Sequence, residues 1–194
     1  MMPRAHYPLA AALLVGAASA AVGAPATFKS DAAKSTLVFV FTQAGAQNRG
    51  HFGRFDVTLT LDPAQPQGGQ LSVTVDISSL DTGDKERDGT LRGAELFDVT
   101  HFREARFVAT SITRSDASHY RANGKLTIRN GTRDLAVPFT LTTASEGGRS
   151  MATMAGQVTI RRLDYGVGQG DWKSTEWVGD DVTVSFDLRL PAQQ

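Results

Sequence analysis

Four carboxylates fall close together in one charged stretch of the chain, at Asp81, Asp84, Glu86 and Asp88. Carboxylates grouped in this way could act as a general acid and base, or could bind calcium through their oxygens. Their spacing does not match an EF-hand loop, and Lys85 and Arg87 alternate with the acidic side chains. The cluster therefore favours an ion-paired helix start, capped by an Asp or Thr side chain, over a catalytic or metal site.

The other chemically capable groups form no recognisable active site. His51, His101 and His119 are scattered, with no pair four residues apart on a helix to ligate zinc, and there is no nucleophile elbow. The glycine-rich stretch 166–172 fits no dinucleotide-binding fingerprint and has no βαβ context. We therefore predict that the protein is not an enzyme and has no metal, and that this stretch is a flap in which Trp172 makes amphipathic contacts.

The composition excludes further classes of protein. The chain has 194 residues, with 20 basic and 20 acidic side chains and no cysteine. Without cysteine, neither a disulfide framework nor a thiolate site can form. The balanced charge shows no basic stripe, which argues against a nucleic-acid partner.

Eight segments alternate apolar and polar residues with a period of two, which is typical of strands that bury one face. Their apolar positions are Leu37, Phe39 and Phe41; Phe55, Val57, Leu59 and Leu61; Leu71, Val73, Val75 and Ile77; Phe107 and Ala109; Tyr120, Ala122, Gly124, Leu126 and Ile128; Leu135, Val137, Phe139 and Leu141; Met154, Gly156, Val158 and Ile160; and Val182, Val184, Phe186, Leu188 and Leu190. Turn signals such as Asn130-Gly131 separate the segments, so the pattern predicts an antiparallel all-β protein.

Residues 81–102 break this alternation and carry the charged cluster. From Leu91 to Phe102 the apolar residues are too unevenly spaced for a strand, so we predict one or two short helices and a turn. A polar insert at the rim of a β structure is a common place for function.

The N-terminus predicts export. Arg4 and His6 precede a run of small apolar residues at 9–21, as in a secretory signal peptide. We predict a signal peptide over residues 1–24, cleaved somewhere within 20–26, and one domain over residues 25–194. A retained N-terminal anchor is the alternative.

Eight one-faced strands could form a sandwich or close into a barrel. A closed eight-stranded barrel leaves room for side chains or for one small ligand. Small residues on the apolar faces, such as Ala109 and Gly124, predict space inside, although bulky neighbours could fill it. Val38 and Val40 make the first strand apolar on both faces, which predicts a cover from residues 91–102 or from a second subunit in a homodimer.

Several motifs together resemble the YceI-like family. They are Ser35-x-x-x-Phe39, Gly50-x-Phe52, Asp81-Thr82-Gly83, Arg87-Asp88, Leu91-Arg92, Leu96-Phe97-Asp98-Val99, the segment 124–131 and Arg162-x-Asp164-Tyr165-Gly166. The resemblance covers the whole mature chain in order. Gln43 departs from the family pattern, where many members have His, and Leu96 stands where the first Phe of an FFD motif is usual.

This resemblance implies an extended, lipocalin-like eight-stranded antiparallel barrel with a short helical insert. It implies a periplasmic protein that carries or sequesters a polyisoprenoid or another long-chain apolar lipid, with no cofactor apart from a bound isoprenoid, fatty-acid-like lipid or quinone. From strand parity, the expected cavity lining is Leu37, Phe39, Phe41, Val57, Leu59, Val73, Val75, Phe107, Ala109, Gly124, Leu126, Phe139, Val158, Val184 and Phe186. The expected rim and flap residues are Arg87, Asp88, Leu91, Phe97 and Trp172.

Two other functions stay open on the sequence. Residues 166–172 resemble the subset of the family found beside, or fused to, cytochrome b561-type membrane proteins, which implies an accessory to a membrane cytochrome that handles an isoprenoid quinone. A stress-response scaffold with a filled core is the other alternative.

Overall fold

Residues 25–193, the part of the chain described by a computed structural model, form one curled sheet of eleven antiparallel strands and one α-helix. The strands are β1 (Ala26–Lys29), β2 (Thr36–Gln43), β3 (Ala46–Phe52), β4 (Phe55–Leu61), β5 (Gln70–Asp76), β6 (Leu80–Asp81), β7 (Glu104–Arg114), β8 (His119–Ile128), β9 (Gly131–Glu146), β10 (Arg149–Arg161) and β11 (Val178–Pro191). Helix α1 spans Lys85–Arg92, and short 3-10 helices span Ala32–Lys34, Pro66–Gly68, Ile77–Ser79, Arg162–Tyr165 and Gly170–Lys173. The predicted signal peptide lies outside the described residues.

The sheet curls because its last strand reaches back to its first. The strand order is β1-β4-β5-β7-β8-β9-β10-β11-β2-β3-β6. The first part of β11, from Val178 to Asp187, pairs with β2. Just after the end of β11, Gln193 donates a backbone hydrogen bond of 2.8 Å to the Thr27 carbonyl of β1. The predicted all-β barrel with a helical insert is therefore confirmed.

All eight predicted strands are present, but the predicted strand number is too low. The three additional strands are β1, β3 and β6. Strand β6 has two residues, too few to show alternation, and β3 places Gly50 on its inward face where an apolar side chain would have signalled a strand. Among residues 25–193, no helix has the length and apolar character needed to cross a bilayer.

The lower end of the barrel is closed by fully packed side chains, which we call the floor. The floor residues are at most 1% exposed, and they are Leu59, Leu61, Ile112, Ala122, Ala152 and Leu190. Next to Ala122, on the side away from the chamber, the rings of Tyr120 and Phe139 stack with their centroids 5.5 Å apart. Because no space remains among these side chains, anything held inside must lie above the floor.

Four of the expected cavity residues lie in packed regions of the barrel instead of lining a cavity. Leu59, Ala109, Gly124 and Phe139 line neither of the two inner cavities described below. The prediction that Gly124 reserves space for a ligand is wrong, because a Cβ atom there would lie 2.2 Å from the Val108 carbonyl oxygen. Small residues here allow two strand backbones to approach closely at an irregularity in the β7–β8 pairing, between Ala109 and Ser111.

We expect Gly124→Ala to lower the free energy of unfolding by about 1–3 kcal/mol, because the added methyl group meets neighbouring backbone that cannot move aside. The matched control is Gly89→Ala on the exposed face of α1, where a Cβ meets nothing within 4 Å. That change should raise stability by about 0.5–1 kcal/mol, because alanine favours a helix. Urea unfolding of both variants checks the opposite signs, and equal effects would contradict the close approach.

The outward side chains of β2 are covered, as predicted. Val38 is 8% exposed and Val40 is half-buried. The residues that line a groove together with Val38 include Ala32, Arg49 and Thr82, which lie outside the predicted cover at 91–102. The homodimer remains a prediction from the sequence.

Candidate binding cavity

Above the floor lies an apolar chamber with a volume of about 170 Å³. The expected residues that do line it are Leu37, Phe39, Val57, Val73, Val75, Phe107, Leu126, Val158, Val184 and Phe186. Further residues line the chamber that were not among those expected: Phe52, Phe55, Leu71, Ile77, Ala105, Arg106, Ile128, Leu135, Val137, Met154, Ile160, Val182 and Leu188. Most of these share the inward parity of their strands, so the parity rule could have found them.

The chamber continues upward into a wider mouth of about 340 Å³. Five residues line both spaces: Phe39, Phe97, Ile128, Ile160 and Val182. The expected residues Phe41, Arg87, Leu91, Phe97 and Trp172 line the mouth, and so do the polar residues Gln43, Asp84, Glu86, Thr90 and Arg162. The site therefore changes from mixed polar and apolar at its entrance to apolar inside, which suits an amphipathic ligand.

Helix α1 forms one side of the mouth, and its start is capped as the sequence predicted. The Asp84 carboxylate accepts hydrogen bonds of 3.0 and 3.1 Å from the backbone N–H groups of Glu86 and Arg87. The Arg87 N–H bond, reinforced by the Glu86 N–H and by the Arg87 charge, holds the pKa of Asp84 below its usual value, although desolvation acts in the opposite direction. The acidic cluster thus orders the helix start at the rim.

Asp88, expected at the rim, faces away from the cavity. Its side chain is 7% exposed and accepts bonds of 2.9 and 2.7 Å from the Thr82 backbone N–H and hydroxyl, with Arg92 4.0 Å away. Asp88 therefore fixes the loop before α1 and does not contact a ligand, because the buried carboxylate uses its oxygens within the insert.

A glycine-rich flap over residues 166–178 forms the opposite side of the mouth and is anchored by a single buried arginine. Arg162 is 4% exposed, and all of its guanidinium nitrogens donate to backbone carbonyls. The acceptors are Val167 (2.9 Å), Trp172 (2.7 Å), Ser174 (3.2 Å), Val178 (2.8 Å) and Gly179 (3.0 Å). Burial lowers the pKa of Arg162, and the charge of Asp180 opposes that shift.

The flap is also tied to the helical insert. Gly168 and Gln169 donate backbone hydrogen bonds of 3.0 and 2.7 Å to the Glu95 carbonyl. The Arg129 guanidinium, at the turn after β8, donates to the Ala94 carbonyl at 2.9 Å and lies 3.8 Å from the Asp98 carboxylate. The insert, the flap and the end of β8 therefore hold one another in place around the entrance.

The histidine–carboxylate pairs of the described chain lie away from this cavity. His101 and His119 each place Nδ1 2.9 Å from a carboxylate, that of Asp98 and Asp116 respectively, on exposed turns. Within residues 25–193, no group of three or more His, Cys, Asp or Glu side chains is placed to hold a metal ion. The cavity itself offers burial and polar anchoring for a ligand, with no nucleophile and base in contact.

Phe39 stands between the mouth and the chamber, and its position depends on Gly50 of the paired strand. A Cβ atom at Gly50 would lie 2.4 Å from Cζ of the Phe39 ring. We expect Gly50→Ala to push this ring into the passage and to weaken the binding of an apolar chain about tenfold. The free energy of unfolding should change by less than the free energy of binding. Isothermal titration with a long-chain alcohol measures the loss.

Gly53→Ala is the matched control for this change, because a Cβ there would have its nearest neighbour at 3.7 Å, an ordinary contact. It should bind like the unmodified protein. Equal affinities for both variants would show that Phe39 does not narrow the passage.

Comparison with known proteins places these features in a family. Residues 28–190 match the profile of the YceI-like domain. A UPF0312 protein of Pectobacterium carotovorum is 26% identical over 170 residues, covering 86% of this chain and 88% of that protein. A Salmonella newport protein named YceI is 34% identical over 88 residues, covering 45% of this chain and 46% of that protein.

Solved structures agree with the fold. The crystal structure of Burkholderia cenocepacia BcnA is 33% identical, with a TM-score of 0.76, and the match covers 82% of this chain and 98% of BcnA. A polyisoprenoid-binding domain from Saccharophagus degradans is 17% identical, with a TM-score of 0.65, covering 86% of this chain and 98% of that domain. On its sequence and its barrel, the chain described here belongs to the YceI-like family.

Proposed function

We propose that this protein binds a polyisoprenoid or another long-chain apolar lipid, with the chain in the chamber and the polar end of the lipid at the mouth. The observation that carries the proposal is the apolar chamber, which shares five lining residues with an entrance that also carries polar groups such as Gln43 and Thr90. The solved domain from Saccharophagus degradans, which shares the fold, is named for polyisoprenoid binding.

The energetics favour a carrier or a sequestering role. Burying each methylene group of a lipid releases roughly 0.8 kcal/mol relative to water. A free long-chain lipid is held in a bilayer, so the protein has only to match the bilayer and to shield the chain during transfer. Catalysis is not needed for that task, and we expect the lipid to be released unchanged.

Export to the periplasm fits this role, because a carrier between membranes must work in the aqueous space beside them. It rests on the N-terminal residues, which lie outside the described chain. The partnership with a cytochrome b561-type membrane protein stays a prediction from residues 166–172, as does its quinone ligand. A quinone would nevertheless satisfy the same division between a polar mouth and an apolar chamber.

Native mass spectrometry of the protein isolated from its own cells tests the proposal. We expect a mass increment that disappears after extraction with organic solvent, and a lipid of unchanged structure in the extract. The delipidated protein should then take up polyisoprenol, fatty acid or quinone from solution. A delipidated protein that binds none of these three would overturn the proposal.

A further inference from the structure

The strand pairing around the barrel wall is interrupted at one place, between β3 and β4. The edge strands are β1 and β6. Strand β1 pairs with β4 only from Thr58 to Leu61, which leaves the Phe55 end of β4 without a strand partner on that side. In the described chain no strand pairing joins β3 to β4 across this seam. The 3-10 helix Ala32–Lys34 and the corner at Gly53 lie in the connecting segments here, and β1 itself is held to the chain beyond β11 by the Phe28–Ala192 bridge.

A surface groove of about 660 Å³ lies over the seam. Leu37, Phe52 and Phe55 line both this groove and the inner chamber. Three side chains are therefore shared between the two spaces, and Phe52 and Phe55 flank the gap between β3 and β4 that no strand pairing crosses. Phe52 is only half-buried, so this part of the wall is thinner than the rest of the chamber.

A row of aromatic rings connects the mouth with this thin wall. The ring centroid of Phe39 lies 6.0 Å from that of Phe41 and 5.0 Å from that of Phe52. Phe41 lines the mouth, Phe39 lines the mouth and the chamber, and Phe52 lines the chamber and the groove. The rings thus mark an apolar path through all three spaces.

The floor determines where a long ligand can go. Leu61, Ile112 and Leu190 close the barrel axis with at most 1% exposure, so a chain entering from the mouth cannot continue downward. A chamber of about 170 Å³ encloses only a short part of a polyisoprenoid. The remaining direction is sideways, between Phe52 and Phe55, into the groove.

We infer that the groove is a second binding segment, which receives the far end of an apolar chain too long for the chamber. The inference rests on the proposed lipid binding and adds the route of the chain and the basis of length selection. Phe52 and Phe55 turn aside when a long chain passes and close the chamber when a short one is bound.

A single-site label tests where the chain ends. The protein has no cysteine, so Ala32→Cys in the full mature chain can carry one polarity-sensitive fluorophore at the groove. Ala33→Cys, on the same exposed turn but outside the groove lining, is the matched control. We expect solanesol, with nine isoprene units, to shift the emission to the blue at position 32 only. Farnesol, with three units, should shift neither label.

Blocking the groove gives a second, independent measurement. Ala32→Trp should weaken solanesol binding about tenfold or more and leave farnesol unchanged, because each methylene that loses its contacts costs roughly fourfold in affinity. Ala33→Trp should change neither affinity.

The outcomes separate this inference from the proposed function. Suppose that both alcohols bind, but that solanesol leaves the emission of the label at position 32 unshifted and Ala32→Trp does not change the affinity for solanesol. The groove assignment is then wrong, and the proposed lipid binding stands. A tryptophan at position 32 that weakens both alcohols equally would also overturn the assignment. If neither alcohol nor any other apolar chain binds the unmodified protein, the proposed function and this inference fail together.

Discussion

Replacing Arg162 with methionine is expected to destabilise the protein by about 3–5 kcal/mol, because several buried carbonyls lose their hydrogen-bond donor at once. The Arg162 guanidinium alone donates to the carbonyls of Val167, Trp172, Ser174 and Val178 within the described residues 25–193. Methionine has similar bulk and no donor, so the change isolates the hydrogen bonds from the packing. Thermal unfolding should show a melting temperature lower by about 10 °C or more.

The neighbouring residue provides the matched control. Arg161 is exposed and forms an ion pair with Asp164 at 2.9 Å. Arg161→Met should lower stability by less than about 1 kcal/mol, since exposed ion pairs contribute little. Arg162→Lys keeps the charge but has three donors on one nitrogen, which cannot span the carbonyls, so it should resemble Arg162→Met. A lysine variant as stable as the unmodified protein would show that charge, and not the donor geometry, anchors the flap.

The same change should alter ligand exchange. Arg162 and Trp172 both line the mouth, and Arg162 holds the flap in place over it. A freed flap should let a bound lipid leave faster, measured as transfer to acceptor vesicles at a temperature where Arg162→Met remains folded. An unchanged transfer rate would show that the flap does not limit exchange.

The fold could be predicted from the sequence because alternation in eight segments fixes which face of each strand is buried. The same rule placed Phe39 and Val73 inward correctly. It could not distinguish a cavity wall from packed interior, because both present the same parity. Val57 and Leu59 both point inward from β4, yet Leu59 lies in the floor and Val57 lines the chamber. The height of a residue along the barrel depends on strand register and tilt, which parity does not contain.

The expectation that Ala109 and Gly124 leave space for a ligand was wrong because residue size, like parity, does not show what lies opposite in the fold. Ala109 and Gly124 sit opposite each other on paired strands, and their small size brings backbone close to backbone. Sequence alone does not say whether a glycine leaves space or removes it. The role of Arg162 could also not be predicted from the sequence, because its hydrogen-bond acceptors are backbone carbonyls, which every residue carries. The family motif around it marked the position but not the reason.

Filling the chamber is expected to abolish lipid binding while the barrel stays folded. Val158 lies on β10 opposite Val184 of β11, and both side chains face the chamber. Tryptophan at position 158 would occupy much of a space of about 170 Å³ that holds no side chain in the unmodified protein. Because the bulk enters open volume, the lipid-free melting temperature should change little, whereas a close-packed site would lose about 1–3 kcal/mol.

The control for Val158→Trp places the same side chain on the outside of the barrel. Val108 on β7 is 50% exposed, so Val108→Trp adds the bulk without touching the chamber. Affinity for an isoprenoid alcohol should fall at least about a hundredfold, or roughly 2.7 kcal/mol, for Val158→Trp and stay unchanged for Val108→Trp. If Val158→Trp folds and still carries lipid stoichiometrically, the ligand does not lie in the chamber. In that case the mouth alone, between α1 and the flap, must provide the binding surface, and the affinity should then respond to Arg87 and Leu91 instead of to the barrel interior.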